Sequence, residues 1–250
     1  MKDRAVSEPK LSTELLVREA NRLGLELTAD QLARFRRYYE ELVTWNTRVN
    51  LTTILEWEAV QVQHFLDSLT CVRVLPTAVQ SSPYTIVDIG AGAGFPGVAL
   101  KIALPHIRLT LVESVRKKAA FLQHLVQKLG LTEAEVLVLR AEEAGRQPVH
   151  REVYDMAVAR AVAALPVLAE YMLPLVRIGG LAIAMKGREV EQEIAAAAGA
   201  LALLGGQLQT TLPVDLPGLK ERRHLVILDK VHPTPDKYPR RPGMPAKRPL

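Results

Sequence analysis

Eleven consecutive residues concentrate the chemistry of this chain: Val87-Asp88-Ile89-Gly90-Ala91-Gly92-Ala93-Gly94-Phe95-Pro96-Gly97. Glycines in such a loop permit positive φ and let backbone N–H groups come close to a ligand. Pro96 suits the first turn of a following helix, where no N–H is needed. A glycine loop between a first strand and a first helix is a nucleotide-cofactor site in open α/β sheets. Gly92-x-Gly94-x-x-Gly97 matches the dinucleotide fingerprint in spacing. That fingerprint should begin directly after the strand, at Gly90, and from there the run is G-x-G-x-G with Phe95 following. Asp88 stands two residues before the first glycine. A carboxylate there opposes a pyrophosphate and suits S-adenosylmethionine, which carries a sulfonium and an amino group. Asp88, Gly90, Gly92 and Gly94 are therefore read as cofactor residues.

Further candidates follow at regular intervals. Leu109-Thr110-Leu111-Val112-Glu113 is a second apolar run, with Glu113 at its end, 23 residues after Gly90. There a carboxylate can accept both ribose hydroxyls; Ser114 and Val115 adjoin it. Arg116-Lys117-Lys118 reads as a solvated helix face. A third run leads into Arg140-Ala141-Glu142-Glu143, where Ala141 and Glu142 should face the adenine. A fourth, Asp155–Ala161, places Arg160 where the substrate should lie.

Missing motifs exclude other chemistries. The P-P-[YF] tetrad of amino-nitrogen methyltransferases would follow the fourth strand, where this chain has Arg160-Ala161-Val162-Ala163. Pyrimidine-carbon methylation needs a thiolate, and the single cysteine, Cys71, has apolar neighbours that suit a packed thiol. The six His do not cluster, so no metal site is expected.

These residues need a scaffold, and the hydrophobic pattern supplies one. Short apolar runs (Thr85–Ile89, Leu109–Val112, Val136–Leu139, Met156–Ala159, Leu181–Met185) alternate with helical segments (Pro96–Leu104, Val115–Leu129, Leu165–Arg177). This alternation predicts an α/β fold with a parallel sheet covered on both faces. Glu189–Leu204 adds a helix. Gln207–Leu212 and His224–Leu228 should pair as an antiparallel hairpin, giving seven strands. Residues 1–83 form an amino-terminal helical extension and linker, with Leu11–Leu23 helical and Thr28-Ala29-Asp30-Gln31 a capping box. The helix it starts carries Leu32, Phe35, Tyr39, Leu42 and Val43 on one side. Asn46–Thr53 reads as a turn, Glu56–Val62 and His64–Leu75 as helices, and Pro76–Pro83 as a linker. Residues 84–232 form the cofactor-binding domain. Residues 233–250, with six prolines, form a tail expected to be irregular, extended or partly disordered.

Nearly half of the 250 residues are hydrophobic and about a quarter charged, as in an ordinary globular core. No apolar run is long enough for a membrane span, and the polar start lacks a secretory signal. One cysteine suits a reducing compartment, so the chain is placed in the cytoplasm. The net charge of +5 is carried at one end: residues 220–250 hold nine Lys/Arg against three Asp/Glu. A local basic stripe attracts a phosphate backbone. Arg222, Arg223, Lys237, Arg240, Arg241, Lys247 and Arg248 are accordingly expected to bind RNA phosphates.

In combination these pieces resemble the glucose-inhibited division protein B family, bacterial guanine methyltransferases of small-subunit ribosomal RNA. The resemblance covers about residues 35–250. It rests on Asn50-Leu51-Thr52, His64-Phe65-Leu66-Asp67-Ser68, the Asp88–Gly97 loop, Arg140-Ala141-Glu142, Arg160-Ala161, Met185-Lys186-Gly187, Tyr238-Pro239-Arg240-Arg241-Pro242-Gly243 and Pro245-Ala246-Lys247 before Pro249-Leu250. It implies a Rossmann-like class I methyltransferase fold and methylation of guanine ring nitrogen seven. It also implies cofactor contacts at Gly90, Phe95, Ala141, Glu142 and Arg160, with Glu113 on the ribose. Phe95 stands where many relatives have Leu. Arg160 and Lys186 are the expected catalytic pair, on the guanine oxygen edge, a phosphate or the cofactor carboxylate. Asn50, His64 and Arg140 are candidate RNA contacts, and a monomer is the expected state. Three other readings stand beside this one: a non-catalytic RNA-binding assembly factor that retains the fold, a nicotinamide oxidoreductase, and a methyltransferase of protein or small molecules.

Overall fold

The computed structural model describes residues 11–75 and 84–250. The expected linker Pro76–Pro83 and the polar start lie outside the described residues. Seven strands form one sheet in the order β3-β2-β1-β4-β5-β7-β6. They are β1 (Thr85–Ile89), β2 (Arg108–Val112), β3 (Ala134–Leu137), β4 (Tyr154–Arg160), β5 (Val176–Lys186), β6 (Gly206–Val214) and β7 (Arg223–Lys230). β1 to β5 run parallel, and β7 inserts antiparallel between β5 and β6. The predicted hairpin at the sheet edge is therefore present. Strand order reverses between β1 and β4, and a ligand crevice opens at such a switch point, outside the strands' carboxyl ends.

The amino-terminal region provides α1 (Glu14–Arg22), α2 (Ala29–Asn46), α3 (Trp57–Val60) and α4 (Asp67–Leu69). Thr28 and Gln31 form the predicted capping box. The buried stripe of α2 is Phe35, Tyr38 and Leu42; Tyr39, expected inside, is only partly buried and donates to the Leu55 carbonyl. Between α3 and α4 the chain makes a π-helical turn, Gln61–Leu66, and after α4 a 3-10 turn, Thr70–Val74. The single helix expected over His64–Leu75 is thus three helical types in sequence. These elements share one core with α5 (Gly97–Ala103), α6 (Arg116–Lys128) and one sheet face, through Leu16, Phe35, Phe65, Phe95 and Phe121. The opposite face is covered by α8 (Leu165–Met172) and α9 (Val190–Leu204).

Among the boundaries that differ from those expected, three have an identifiable cause. β3 starts at Ala134 because it pairs from there with Leu109 of β2, which leaves Val138 and Leu139 beyond the strand. α8 stops at Met172, short of the expected Arg177, since Pro174 cannot continue a helix. β5 then begins at Val176, opposite Tyr154.

The tail is irregular as expected, apart from one short helix, but it is docked on the domain. Residues 233–250 do not hang free: Tyr238 is 7% exposed, and a short helix α10 spans Met244–Lys247. Proline-rich backbone has few N–H groups, so its carbonyls need outside donors. Arg151 donates to the Thr234 and Tyr238 carbonyls and Arg146 to the Pro239 carbonyl. In return, the Gly243 and Arg240 N–H groups donate to Glu142 and Glu170.

Candidate active site

The glycine loop is held from three sides. Asp88 is fully buried, and its Oδ2 accepts from the Gly97 N–H at 2.8 Å. Burial, the largest influence, raises its pKa to about 7; the Gly97 N–H and Arg160 act in the opposite sense. Asp88 therefore anchors the start of α5 through Oδ2, while its Oδ1 has no hydrogen-bond partner among the described residues. Gly97 is required there, because a Cβ would stand 2.7 Å from Asp88 Oδ2. Glu113, 6% exposed, accepts from the Gly92 N–H at 3.0 Å and the Val115 N–H at 2.6 Å. From α2, the Tyr38 hydroxyl donates to the Ala93 carbonyl at 2.6 Å. Gly94, at φ +95°, would press a Cβ onto that hydroxyl. Tyr38 is not among the sequence-predicted site residues, because the stripe read from the sequence takes in Tyr39 and leaves Tyr38 out.

Beside Gly90 lies a narrow cavity of about 90 Å³. Ile89, Val112, Leu139 and Val162 give it apolar walls, and Ser114, Arg140, Ala141 and Glu142 a polar rim. Apolar walls with a backbone rim fit a flat heterocycle, and Glu113 next to it fits a ribose. Glu142 is 2% exposed and tied by the Gly243 N–H, so the carboxyl-terminal tail braces this rim. A wider groove of about 470 Å³ lies at the opposite, amino-terminal ends of β1–β3, among Thr110, Glu135, Val149 and Tyr154. It contains none of the candidate residues at the strands' carboxyl ends, so the smaller cavity is the better cofactor site.

Next to the loop, Arg160 at the end of β4 meets the π-helical turn. Its Nη1 donates to the Asp67 carboxylate and the Gln63 carbonyl, both at 3.0 Å, and its Nη2 donates to His64 Nδ1 at 3.2 Å. The guanidinium lies 4.9 Å from the centre of the Phe95 ring, which also stacks on His64 and Tyr38. Burial, then Arg160, pushes the His64 pKa down to about 3, so the imidazole is neutral. His64 is 7% exposed and its Nε2 meets Thr52 Oγ1 at 2.8 Å. It supports Arg160 from within; Asn50, in the adjoining turn, is exposed.

Lys186 ends β5 opposite His224 of β7, one strand over from Arg160. Its Nζ forms a 2.6 Å ion pair with Glu193 of α9 and donates to the Ala163 carbonyl at 2.8 Å. Glu193 in turn accepts from the Leu165 N–H. In this arrangement Lys186 steadies the loop between β4 and α8. Arg222 and Arg223 enter β7 at the same sheet edge. The structure thus gathers Arg160, Lys186, Arg222 and Arg223 along one rim.

The tail cations sit elsewhere, beside α8 and α7 (Ala141–Ala144). Arg240 is taken up by the buried Glu170, with Nη2 to Oε2 at 2.6 Å. Its guanidinium was expected on phosphate, but a buried carboxylate needs a counter-charge and has it here. Lys237, Arg241, Lys247 and Arg248 are exposed, as is Arg140. Among the described residues no three His, Cys, Asp or Glu side chains group as metal ligands. No helix among them is long and apolar enough to cross a membrane.

Known proteins give this geometry its context. A family model described as rRNA small subunit methyltransferase G (GidB) matches residues 31–226. The ribosomal RNA small subunit methyltransferase G of Roseiflexus castenholzii is 51% identical over 235 residues, 94% of this chain and 98% of that one. The protein of the same name from Lactiplantibacillus plantarum is 48% identical over 227 residues, 90% of this chain and 93% of that one. Among solved structures, the 16S rRNA (adenine(1408)-N(1))-methyltransferase from Catenulisporales acidiphilia has a TM-score of 0.51 and 15% identity, covering 62% of this chain and 91% of that one. That likeness is one of fold. With a matching family model over most of its length and near-full-length relatives at about half identity, the chain belongs to the GidB family of small-subunit ribosomal RNA methyltransferases.

Proposed function

We propose that the chain transfers the methyl group of S-adenosylmethionine to ring nitrogen seven of one guanine in small-subunit ribosomal RNA. The observation that carries this is the placement of Arg160 between the braced glycine loop and a rim of Lys186, Arg222 and Arg223. The cofactor supplies a methyl carbon bonded to a sulfonium, and transfer leaves S-adenosylhomocysteine. Gly90, Gly92 and Gly94 give the backbone approach, Glu113 the ribose acceptor, and Ser114, Val115, Ala141 and Glu142 the rim.

Ring nitrogen seven presents an in-plane lone pair, so no general base is needed before attack. Alignment is then the main device, and well-oriented reactions gain roughly 7–11 kcal/mol from it. The guanine gains positive charge as the methyl arrives, so a cation on the attacking nitrogen would oppose the step. Arg160 therefore serves the guanine oxygen edge or the cofactor carboxylate. Lys186 holds the loop beside it through Ala163. Arg140, Arg222, Arg223, Lys237, Arg241, Lys247 and Arg248 supply phosphate contacts, with Asn50 at the turn. The reading includes a monomer acting in the cytoplasm, on RNA presented by a ribosomal particle.

The test is transfer of labelled methyl to small subunits from cells lacking the protein, with naked RNA and total protein as parallel acceptors. Label in RNA, released by cleavage chemistry specific for guanine methylated at nitrogen seven, is the expected result. Cofactor binding with no label in any acceptor would replace this reading with a non-catalytic assembly factor.

A further inference from the structure

Arg160 is held by three groups from one π-helical turn and the residue after it: the Gln63 carbonyl, His64 Nδ1 and the Asp67 carboxylate. An arginine can only donate, so its contact with Nδ1 goes with the tautomer protonated on Nε2, while the Gln63 carbonyl, 3.0 Å from the same Nδ1, suits the tautomer protonated on Nδ1. On its other side the ring meets Thr52, with Nε2 at 2.8 Å from Oγ1, a hydroxyl that accepts from the Ile54 N–H and can serve either tautomer. Phe95 closes the guanidinium plane from below.

Of the five N–H groups of Arg160, these contacts use two on Nη1 and one on Nη2. The Nε–H and the second Nη2–H have no partner among the described residues. They stand on neighbouring nitrogens of one rigid plane, a fork that fits two oxygen acceptors. Where the fork points is decided by the three groups behind it. Of these, only Asp67 carries charge. Its side chain is 1% exposed, and its Oδ1 has no partner among the described residues. An acid so deeply buried is costly unless paired, so it fixes its partner firmly.

We propose that Asp67 is a positioning residue for methyl transfer, acting through Arg160 by setting the direction of its free N–H fork. This inference rests on the proposed function above. Asp67 does not line the cofactor cavity, and its one hydrogen-bonded partner on the basic rim is Arg160, so its effect should vanish when the fork is removed.

The test compares four proteins in methyl transfer to small subunits: the parent, Asp67→Asn, Arg160→Lys and the double variant. Asn keeps the shape and removes the charge; Lys keeps a charge and removes the fork. Asp67→Asn should lower kcat roughly 10–100-fold, as a small misplacement of an aligned group does, with KM for subunits nearly unchanged. On Arg160→Lys the same change should cost less than about 3-fold, since coupled residues are non-additive. Thr52→Val, which removes the hydroxyl holding the His64 ring at Nε2 without touching Asp67, should give a smaller kcat loss that also disappears on Arg160→Lys. It serves if Asp67→Asn fails to fold in a thermal melt. Equal losses in both backgrounds, or losses that follow the melting temperature, would assign Asp67 a purely structural role and overturn the proposal. An active parent with an equally active Asp67→Asn would overturn it while leaving the proposed function intact. A parent that transfers no methyl would overturn both.

Discussion

Arg240→Ala separates a docked tail from a free basic arm. Glu170 is fully buried on α8. It takes two contacts from Arg240 Nε at 3.0 and 3.1 Å, one from Nη2 at 2.6 Å and one from the Arg240 backbone N–H at 2.7 Å. The same pairing raises the Arg240 pKa above its ordinary range. Alanine would keep the backbone contact and leave a buried carboxylate without its counter-charge. Breaking a buried pair from one side costs about 3–5 kcal/mol. The Arg240 side chain is 22% exposed, which argues for the lower end. At about 3 kcal/mol, and about 2–4 °C per kcal/mol for a chain of this size, the melting temperature should fall by roughly 6–12 °C. Replacing both partners by apolar residues of similar volume should recover most of that loss. The assay is thermal unfolding by circular dichroism, with RNA affinity measured across salt concentrations. A free phosphate-binding arginine would behave otherwise: no change in melting, and a salt slope reduced by about 0.7–0.9. That second pattern would refute the docked tail.

Three further outcomes are expected. His64 takes up a proton in the unfolded chain near 6.5 and in the folded chain only near 3. Its contribution is present above pH 6.5 and is lost as pH falls toward 3, by up to about 1.4 kcal/mol per pH unit. Relative to the parent, His64→Gln should therefore gain stability as pH drops below that window's upper end. Parallel melting-versus-pH curves would reject this. Gly97→Ala would drive a Cβ to 2.7 Å from Asp88 Oδ2 and 2.9 Å from Leu111. A stability loss of about 1–3 kcal/mol is expected from such overpacking. Calorimetry should also show weaker adenosylmethionine binding, and unaltered binding would mean that Asp88 does not hold the loop. Arg222→Ala and Arg223→Ala should each lower the salt slope of RNA binding by about 0.7–0.9 if each meets one phosphate. An unchanged slope in both would move the RNA path away from this rim.

Much of the architecture was legible because local patterns and topology agreed. Alternating apolar runs and helical stretches forecast the parallel sheet, and the two closing runs without an intervening helix forecast the antiparallel pair. Boundaries slipped where a partner strand decides, as at β3, or where one proline overrules a periodic pattern, as at Pro174. The glycine loop and Glu113 could be placed on strand ends from spacing alone. What Asp88 holds was not legible, since an acid beside a glycine loop can face ligand or backbone, and only the fold brings its Oδ2 to the Gly97 N–H.

Residue types and order determined the chemistry: a glycine loop, a strand-end acid at Glu113, a strand-end arginine at Arg160 and a basic carboxyl end. These follow from the backbone needs of a cofactor loop and the alternation of a sheet, which are local. Tertiary structure alone decided which charges are free. Arg160 is gripped by Asp67, 93 residues away in sequence, and Arg240 by Glu170, 70 residues away. A buried carboxylate takes whichever cation the fold brings to it, and spacing along the chain does not record that meeting.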